Sequence, residues 1–293
     1  MLNKMKTIKR IIHANKVNMG GIILDQAIPV RDVEQIDPFL LLHHWKRNHK
    51  GGETQKNMGV GPHPHRGFAP VTFIMKGGVH HQDSRGNNSI VVEGGTQWMN
   101  SGMGIVHSER PTKEIAENGG DFEIIQIWIN APAKHKMDIP SYQPLSLEET
   151  PIIESSDKKI NIGVVAGELN GKKGKINTYS PMIVLRLDIK KGGKTNIPIP
   201  KEFNTFIYQI DGSLLINKES KASAKDLSWF NNDGDTITIE GLEDTTALLL
   251  AGEPINEETA TYGPFVMNNQ TEIMEAMNDY QMGKMGILIE EFN

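Results

Sequence analysis

The chain of 293 residues contains no cysteine. Disulfides, thiolate zinc sites, iron–sulfur clusters and a cysteine nucleophile are thereby excluded, and any metal must be held through nitrogen and oxygen. No uninterrupted apolar run is long enough to span a bilayer. The basic opening stretch "MLNKMKTIKRIIHANKV" lacks the long apolar core and small-residue cleavage site of a secretory signal, so a cytoplasmic protein is expected. A strong charge of either sign is also missing. The net charge of −5 leaves no basic footprint for nucleic acid. Histidine is missing from the whole second half, since all ten lie in the first 135 residues.

What is present suits a soluble globular protein: 38% hydrophobic and 23% charged residues. The length favours two domains of similar size. Short segments rich in Val, Ile, Thr and Phe recur along the chain, among them "APVTFIMKGG", "DFEIIQIWINAP", "MIVLRLDIKKGG" and "TTALLLAGEP". Gly, Asp and Pro bound them, which predicts an all-β sandwich or barrel. One helix is expected near the C-terminus, from Asn269 to Met282. Ile273, Met277 and Tyr280 recur there at helical spacing, Asn269 and Glu272 read as a capping pair, and Gly283 as the stop. Residues 131–160 hold four prolines and little periodicity, and read as a linker between halves. "TFIMKGG" at 72–78 resembles "TFIYQIDG" at 205–212, which fits a duplicated β-domain. At that offset Asn196 and Pro198 fall where His63 and His65 stand, so the second copy lacks imidazoles for a metal.

His63 and His65 flank Pro64 in "GPHPHRGF". On an extended strand, residues two apart point to one face, and a proline is tolerated only at an edge or a strand start. The pair is therefore a chelating candidate at a rim, with a polar turn as the plain alternative. "SGMGIVHSERP" repeats the spacing with His107 and Glu109, after a corner marked by Gly102 and Gly104. Its G-x-G-x-x-H run is not a dinucleotide fingerprint, because a histidine stands at the third glycine and no helix pattern follows. Two such pairs converging inside a barrel would bring together three imidazoles and one carboxylate. An exposed strand face or an ion pair is the plain reading of His107 and Glu109. His80 and His81, after the Gly-Gly turn of "GGVHHQDSRG", read by themselves as a surface hairpin. His43 and His44 beside Trp45 line an entrance or are satisfied polar residues near the core. His13, His49 and His135 carry no signal. Phe39, Phe68, Met75, Trp98 and Met103 are wall candidates, with core packing the stronger expectation for each.

"DPFLLLHHW", "PHPHRGF" and "GGTQWMNSGMGIVHSERP", in that order, together with "AGEPINEETATYGPFVMNNQTEI" at 251–273, resemble the pirin family of the cupin superfamily over nearly the whole chain. The resemblance implies an all-β bicupin: two cupin-type antiparallel β-barrels with a short C-terminal helix. The domains would be 1–140, carrying the metal, and 141–293, without histidine ligands. It maps the metal ligands onto His63, His65, His107 and Glu109, and implies one divalent ion, Fe(II) foremost, with Zn, Mn, Ni or Cu compatible with the same donors. The activity implied is dioxygenase cleavage of quercetin-like flavonols, with ring opening and loss of carbon monoxide, and Glu109 as both ligand and base. Its partners would be an aromatic flavonol substrate and dioxygen. The alternative it implies is a metal- and redox-sensing protein that regulates a transcription or metabolic partner, without direct nucleic-acid or membrane binding. One departure stands out: pirins often read Arg-Gly-Phe-Glu after the histidine pair, and this chain has Ala69 in place of the acid.

Overall fold

The computed structural model describes residues 4–292. They are almost entirely strands and turns, with one short helix at Lys113–Asn118 and a longer one at Gln270–Gln281. The chain sorts into two compact units. One comprises the N-terminal residues to Asn18, Asp25–Pro38 and Glu148–Pro254, and the other Met19–Leu24, Phe39–Leu147 and the C-terminal residues from Ile255.

Neither unit is a single run, so the expected division at 140/141 has to be redrawn at both ends. The strand Ile8–His13 pairs antiparallel with Asp226–Phe230 and so belongs with the second half of the sequence. The C-terminal segment returns to the first half, where Ile273, Ala276 and Met285 pack with Val106, Phe265 and Met267. Nor is 131–160 a free linker. Ser141–Leu145 pairs with Thr96–Asn100, and Ile152–Glu154 with Ile160–Ala166, so each half of the stretch is built into a sheet.

Each unit is built mainly on one large and one four-stranded antiparallel sheet, with a two-stranded ribbon added (Glu168–Leu169 with Lys172–Lys173, or Ala260–Tyr262 with Phe265–Met267), rather than one closed cylinder. In the histidine-bearing unit the large sheet runs in the order Ser141–Leu145, Thr96–Asn100, Phe68–Lys76, Gly120–Asn130, Phe39–His49, and then to residues 19–24 and beyond. The small sheet runs Val60–His65, Ile105–Pro111, Gly78–Asp83, Asn88–Val92. The other unit repeats the small sheet strand for strand as Lys194–Pro198, Thr236–Gly241, Ser213–Ile216, Ser220–Ser223. It encloses an apolar core that includes Ile162, Leu185, Ile197, Ile207, Leu214, Ile237 and Leu249. The duplication hinted at by the two short repeats is thus a duplication of strand order.

The Val60–His65 strand is the outermost of its sheet, which is where Pro62 and Pro64 can forgo two backbone donors. The helix Gln270–Gln281 begins as its sequence indicates. The Asn269 side chain accepts from the Glu272 backbone N–H at 3.0 Å and donates to the Glu272 carboxylate at 2.8 Å.

Candidate metal centre

Strand pairing decides which side chains share a face. Directly opposite residues in an antiparallel ladder point the same way. His107 lies opposite His63 on one side and Asp83 on the other, and Glu109 lies opposite His81. One face of the small sheet therefore carries His63, His65, His81, Asp83, His107 and Glu109. The other carries His80, Gln82, Ser108 and Arg110. A register shift between His107 and Glu109 adds one residue to the Val60–His63 side. Such a bulge bends the edge strand locally.

The structure brings three of the four expected ligands together. His63, His65 and His107 each offer a ring nitrogen within 4.8 Å of the others. Their ring centroids are 4.4–5.0 Å apart. In each ring Nδ1 is engaged: His63 with the Gly61 carbonyl at 2.8 Å, His65 with the Pro264 carbonyl at 3.3 Å, His107 with His81 Nδ1 at 3.4 Å. A ring that donates from Nδ1 presents a lone pair at Nε2. His107 Nε2 is buried and has no protein partner. A buried polar atom without a partner calls for an explanation, and an ion supplies one. Burial holds the His65 and His107 imidazoles well below their ordinary pKa, and neighbouring imidazoles push the same way. Burial also lowers His63, against the Gly61 carbonyl that favours its protonated form. Neutral rings are what a cation needs. Three imidazoles suit a first-row divalent ion, so the donor set fits the metal expected.

Glu109 is not part of that group of donor atoms. Its carboxylate lies against the large sheet, where Thr72 Oγ1 donates to Oε1 at 2.9 Å, the Gln97 amide donates to Oε1, and the Gln126 amide donates to Oε2 at 2.7 Å. Glu109 nevertheless lines the same cavity as His63 and His65. This cavity of about 190 Å³ is walled by Leu24, Trp45, Phe122, Ile124 and Trp128, with His43 and Gln126 among its few polar members. Burial drives the His43 pKa down to about 4. Trp128 packs on both His65 and Phe68, at 5.5 and 4.4 Å between centroids.

The remaining sequence candidates fall elsewhere. His44 is paired with Glu123 at 2.8 Å, both side chains buried. His80 bonds to Gln55 and Asn88 on the outward face. His81 bonds to Asp83 at 2.9 Å and stacks on Tyr142. Of the five wall candidates none lines the cavity, and Phe68 packs on the ligand His65 at 5.0 Å between ring centroids. Strand alternation puts Ala69, also buried, on the face opposite Phe68 and Thr72. Residue 69 is therefore directed away from the ligand ring. Gln126 and Gln97, which the sequence reading missed, did leave a signal. Gln126 interrupts the apolar run "IIQIW", and Gln97 precedes the apolar pair "WM" of its strand.

The repeat unit shows the same positions without the chemistry. In its small sheet Asn196 lies opposite Thr238, as His63 lies opposite His107. The Thr238 hydroxyl donates to the Asn196 side chain at 2.7 Å, so that pair satisfies itself.

Comparison with known proteins places these features in a family. Residues 22–129 match Pirin, and residues 184–286 match the pirin C-terminal cupin domain. A pirin-like protein of Solanum lycopersicum is 33% identical over 282 residues, 95% of this chain and 92% of its own length. A crystal structure of quercetin 2,3-dioxygenase from Acinetobacter baumannii is 34% identical, with a TM-score of 0.91 over 98% of this chain and all of that one. The bacterial pirin YhhW of Escherichia coli, solved in complex with nickel(II), shares the fold at 22% identity, with a TM-score of 0.66 over 84% of this chain and 99% of that one.

Proposed function

The chain belongs to the pirin family, and from that premise we propose that it is a mononuclear metal dioxygenase, with iron as its ion, that cleaves quercetin-like flavonols with dioxygen. One observation carries this reading: His63, His65 and His107 each bring a ring nitrogen within 4.8 Å of the others, and His63 and His65 line an apolar cavity together with the Glu109 carboxylate. The relative of known structure described as a quercetin 2,3-dioxygenase supports the substrate class.

His63, His65 and His107 would hold the ion, with Glu109 as the fourth ligand and the base. When bound, a divalent ion supplies Lewis acidity that lowers the pKa of an enol hydroxyl, together with open positions for substrate and dioxygen. The protein does the rest. Trp45, Phe122 and Trp128 offer aromatic faces to the substrate rings, and the apolar wall limits water around the reacting enol. Glu109 receives the enol proton. Its three tethers to Thr72, Gln97 and Gln126 give the carboxylate a resting place on the large sheet, from which it can reach the cavity without being lost to solvent. The His65 ring is fixed by Trp128 and Phe68, so the donor set is organised before substrate arrives.

The test is oxygen-dependent turnover of quercetin by iron-loaded protein, read as loss of flavonol absorbance and release of carbon monoxide. Stoichiometric carbon monoxide that disappears in His107→Ala supports the proposal. A rate equal to that of free iron in buffer refutes it for this substrate.

A further inference from the structure

Behind His107 lies a second layer of buried polar groups. His107 Nδ1 is 3.4 Å from His81 Nδ1, and His81 Nε2 is 2.9 Å from Asp83 Oδ2. The Asp83 and His81 side chains are wholly buried, and His107 is 1% exposed. Tyr142 stacks flat on His81, 3.9 Å between centroids and 5° between planes, which fixes the ring's orientation.

Who donates to whom can be worked outward from Asp83. Its Oδ1 accepts the backbone N–H groups of Arg85 and Asn87, at 2.9 and 3.1 Å. Its Oδ2 accepts the Asn87 side-chain amide at 2.8 Å and faces His81. Every group around this carboxylate is a donor, so His81 must donate from Nε2. With its one hydrogen on Nε2, His81 has a lone pair at Nδ1, which can only accept. The facing atom, His107 Nδ1, must carry the hydrogen. That leaves His107 Nε2 with a lone pair, and this is the buried atom without a partner.

We propose that Asp83 and His81 are positioning residues that fix the tautomer of His107, so that its Nε2 is permanently set to receive the metal. The inference rests on reading His63, His65 and His107 as the metal centre. Asp83 thereby does for His107 what the Gly61 and Pro264 carbonyls do for His63 and His65. It does so through an intervening imidazole, and with a full negative charge that strengthens the ligand's basicity. The pair also explains the two neighbouring histidines of "GGVHHQDS": His81 faces the ligands and His80 does not.

Asp83→Asn gives the sharpest test. The two backbone N–H groups at the Oδ1 position are fixed donors, so the new carboxamide must turn its oxygen toward them. Its NH2 group then faces His81 Nε2. His81 has to accept there and carry its hydrogen on Nδ1, and His107 has to accept at Nδ1 and carry its hydrogen on Nε2, the ligating atom. The tautomers of both rings invert.

The experiment uses full-length protein labelled with 15N in its histidine rings, without metal, and reads tautomers from long-range 1H–15N correlations. Wild type should show neutral His107 protonated on Nδ1 and neutral His81 on Nε2. Asp83→Asn should show the reverse in both. Zinc(II) affinity, measured by chelator competition, should fall about 10- to 100-fold in Asp83→Asn, the range typical of losing a ligand's hydrogen-bond partner. His80→Gln should alter neither readout. If Asp83→Asn does not fold, His81→Leu replaces it. Without an acceptor at Nδ1, His107 should then show a mixture of tautomers. Wild-type His107 protonated on Nε2, a doubly protonated His81, or an Asp83→Asn protein with unchanged tautomers would overturn the role of the pair alone. Wild-type tautomers as stated, but no zinc uptake, would overturn the metal centre as well.

Discussion

Lys136 is a buried clamp within the ligand-bearing unit, and its removal has a calculable effect. The side chain is 1% exposed, yet its ammonium group donates to the Gly67 carbonyl at 2.7 Å, the Asn130 side chain at 2.6 Å and the Val266 carbonyl at 3.0 Å. Three donors meet three acceptors. Gly67 stands two residues after the ligand His65, with φ +86°, and a Cβ there would lie 2.0 Å from the Val266 oxygen. Lys136 thus pins together two backbone segments that already touch.

Burial lowers the Lys136 pKa from 10.5 to about 8, against the pull of Glu257 and Glu272. Converted at the standard rate, that shift is a penalty of roughly 3 kcal/mol for the buried charge. Three hydrogen bonds to a charged group, at about 2 kcal/mol each, outweigh it. Lys136→Met keeps the shape, removes the penalty and strands three acceptors, so we expect a net loss of about 3 kcal/mol at pH 7. The sign with pH follows from linkage. Below pH 8 both folded and unfolded chains carry the proton, and the residue contributes no slope. Between about 8 and 10.5 the unfolded chain keeps a proton that the folded chain has released, so wild-type stability gains from this residue as pH rises. The gap between wild type and Lys136→Met should therefore widen across that window, by at most roughly 3 kcal/mol. Urea denaturation of both proteins at a series of pH values measures the gap, with other titrating groups cancelling in the difference. A gap that stays flat or narrows would refute the reasoning.

Other expectations follow from the same contacts. Arg110 reaches Glu290 with two nitrogens at 2.8 Å each and the Met58 carbonyl with a third, so Glu290→Ala should cost about 2 kcal/mol in denaturant unfolding and free the C-terminal residues to proteolysis. His107→Ala should weaken zinc binding by more than about 100-fold, beyond what loss of an outer hydrogen-bond partner causes, as read by competition with a chelator. Glu109→Gln should retain metal on the three imidazoles yet lower kcat by about 10²- to 10⁴-fold with little change in KM, as steady-state kinetics with quercetin would show.

The pairs His63/His65 and His107/Glu109 were legible in the sequence because each spacing is local, whereas the meeting of His107 with His63 depends on strand register and was implied only by the family resemblance. A two-residue spacing on a strand fixes a shared face, and prolines mark an edge. The helix at Gln270–Gln281 was legible through its cap for the same reason. The empty second site could be read from the repeat offset alone, and Asn196 and Thr238 fill it with their own hydrogen bond. What escaped depends on pairing between distant strands. Which of His80 and His81 faces the ligands is set by register against Ile105–Pro111. The tethers on Glu109 escaped as well: Thr72, Gln97 and Gln126 reach its carboxylate from three strands of the other sheet, and no spacing rule foretells that. The exchange of chain ends between the units has the same origin, since Ile8–His13 finds its partner more than 200 residues away at Asp226–Phe230.

His63, His65 and His107 are proposed to bind one metal ion per chain. Elemental analysis combined with X-ray absorption at the edge of the bound metal tests it directly. One ion per chain is expected, with three imidazole nitrogens at about 2.0–2.2 Å, falling to substoichiometric metal in His107→Ala. Stoichiometric metal that persists in His107→Ala, a shell without imidazole, or no uptake by wild type would contradict it.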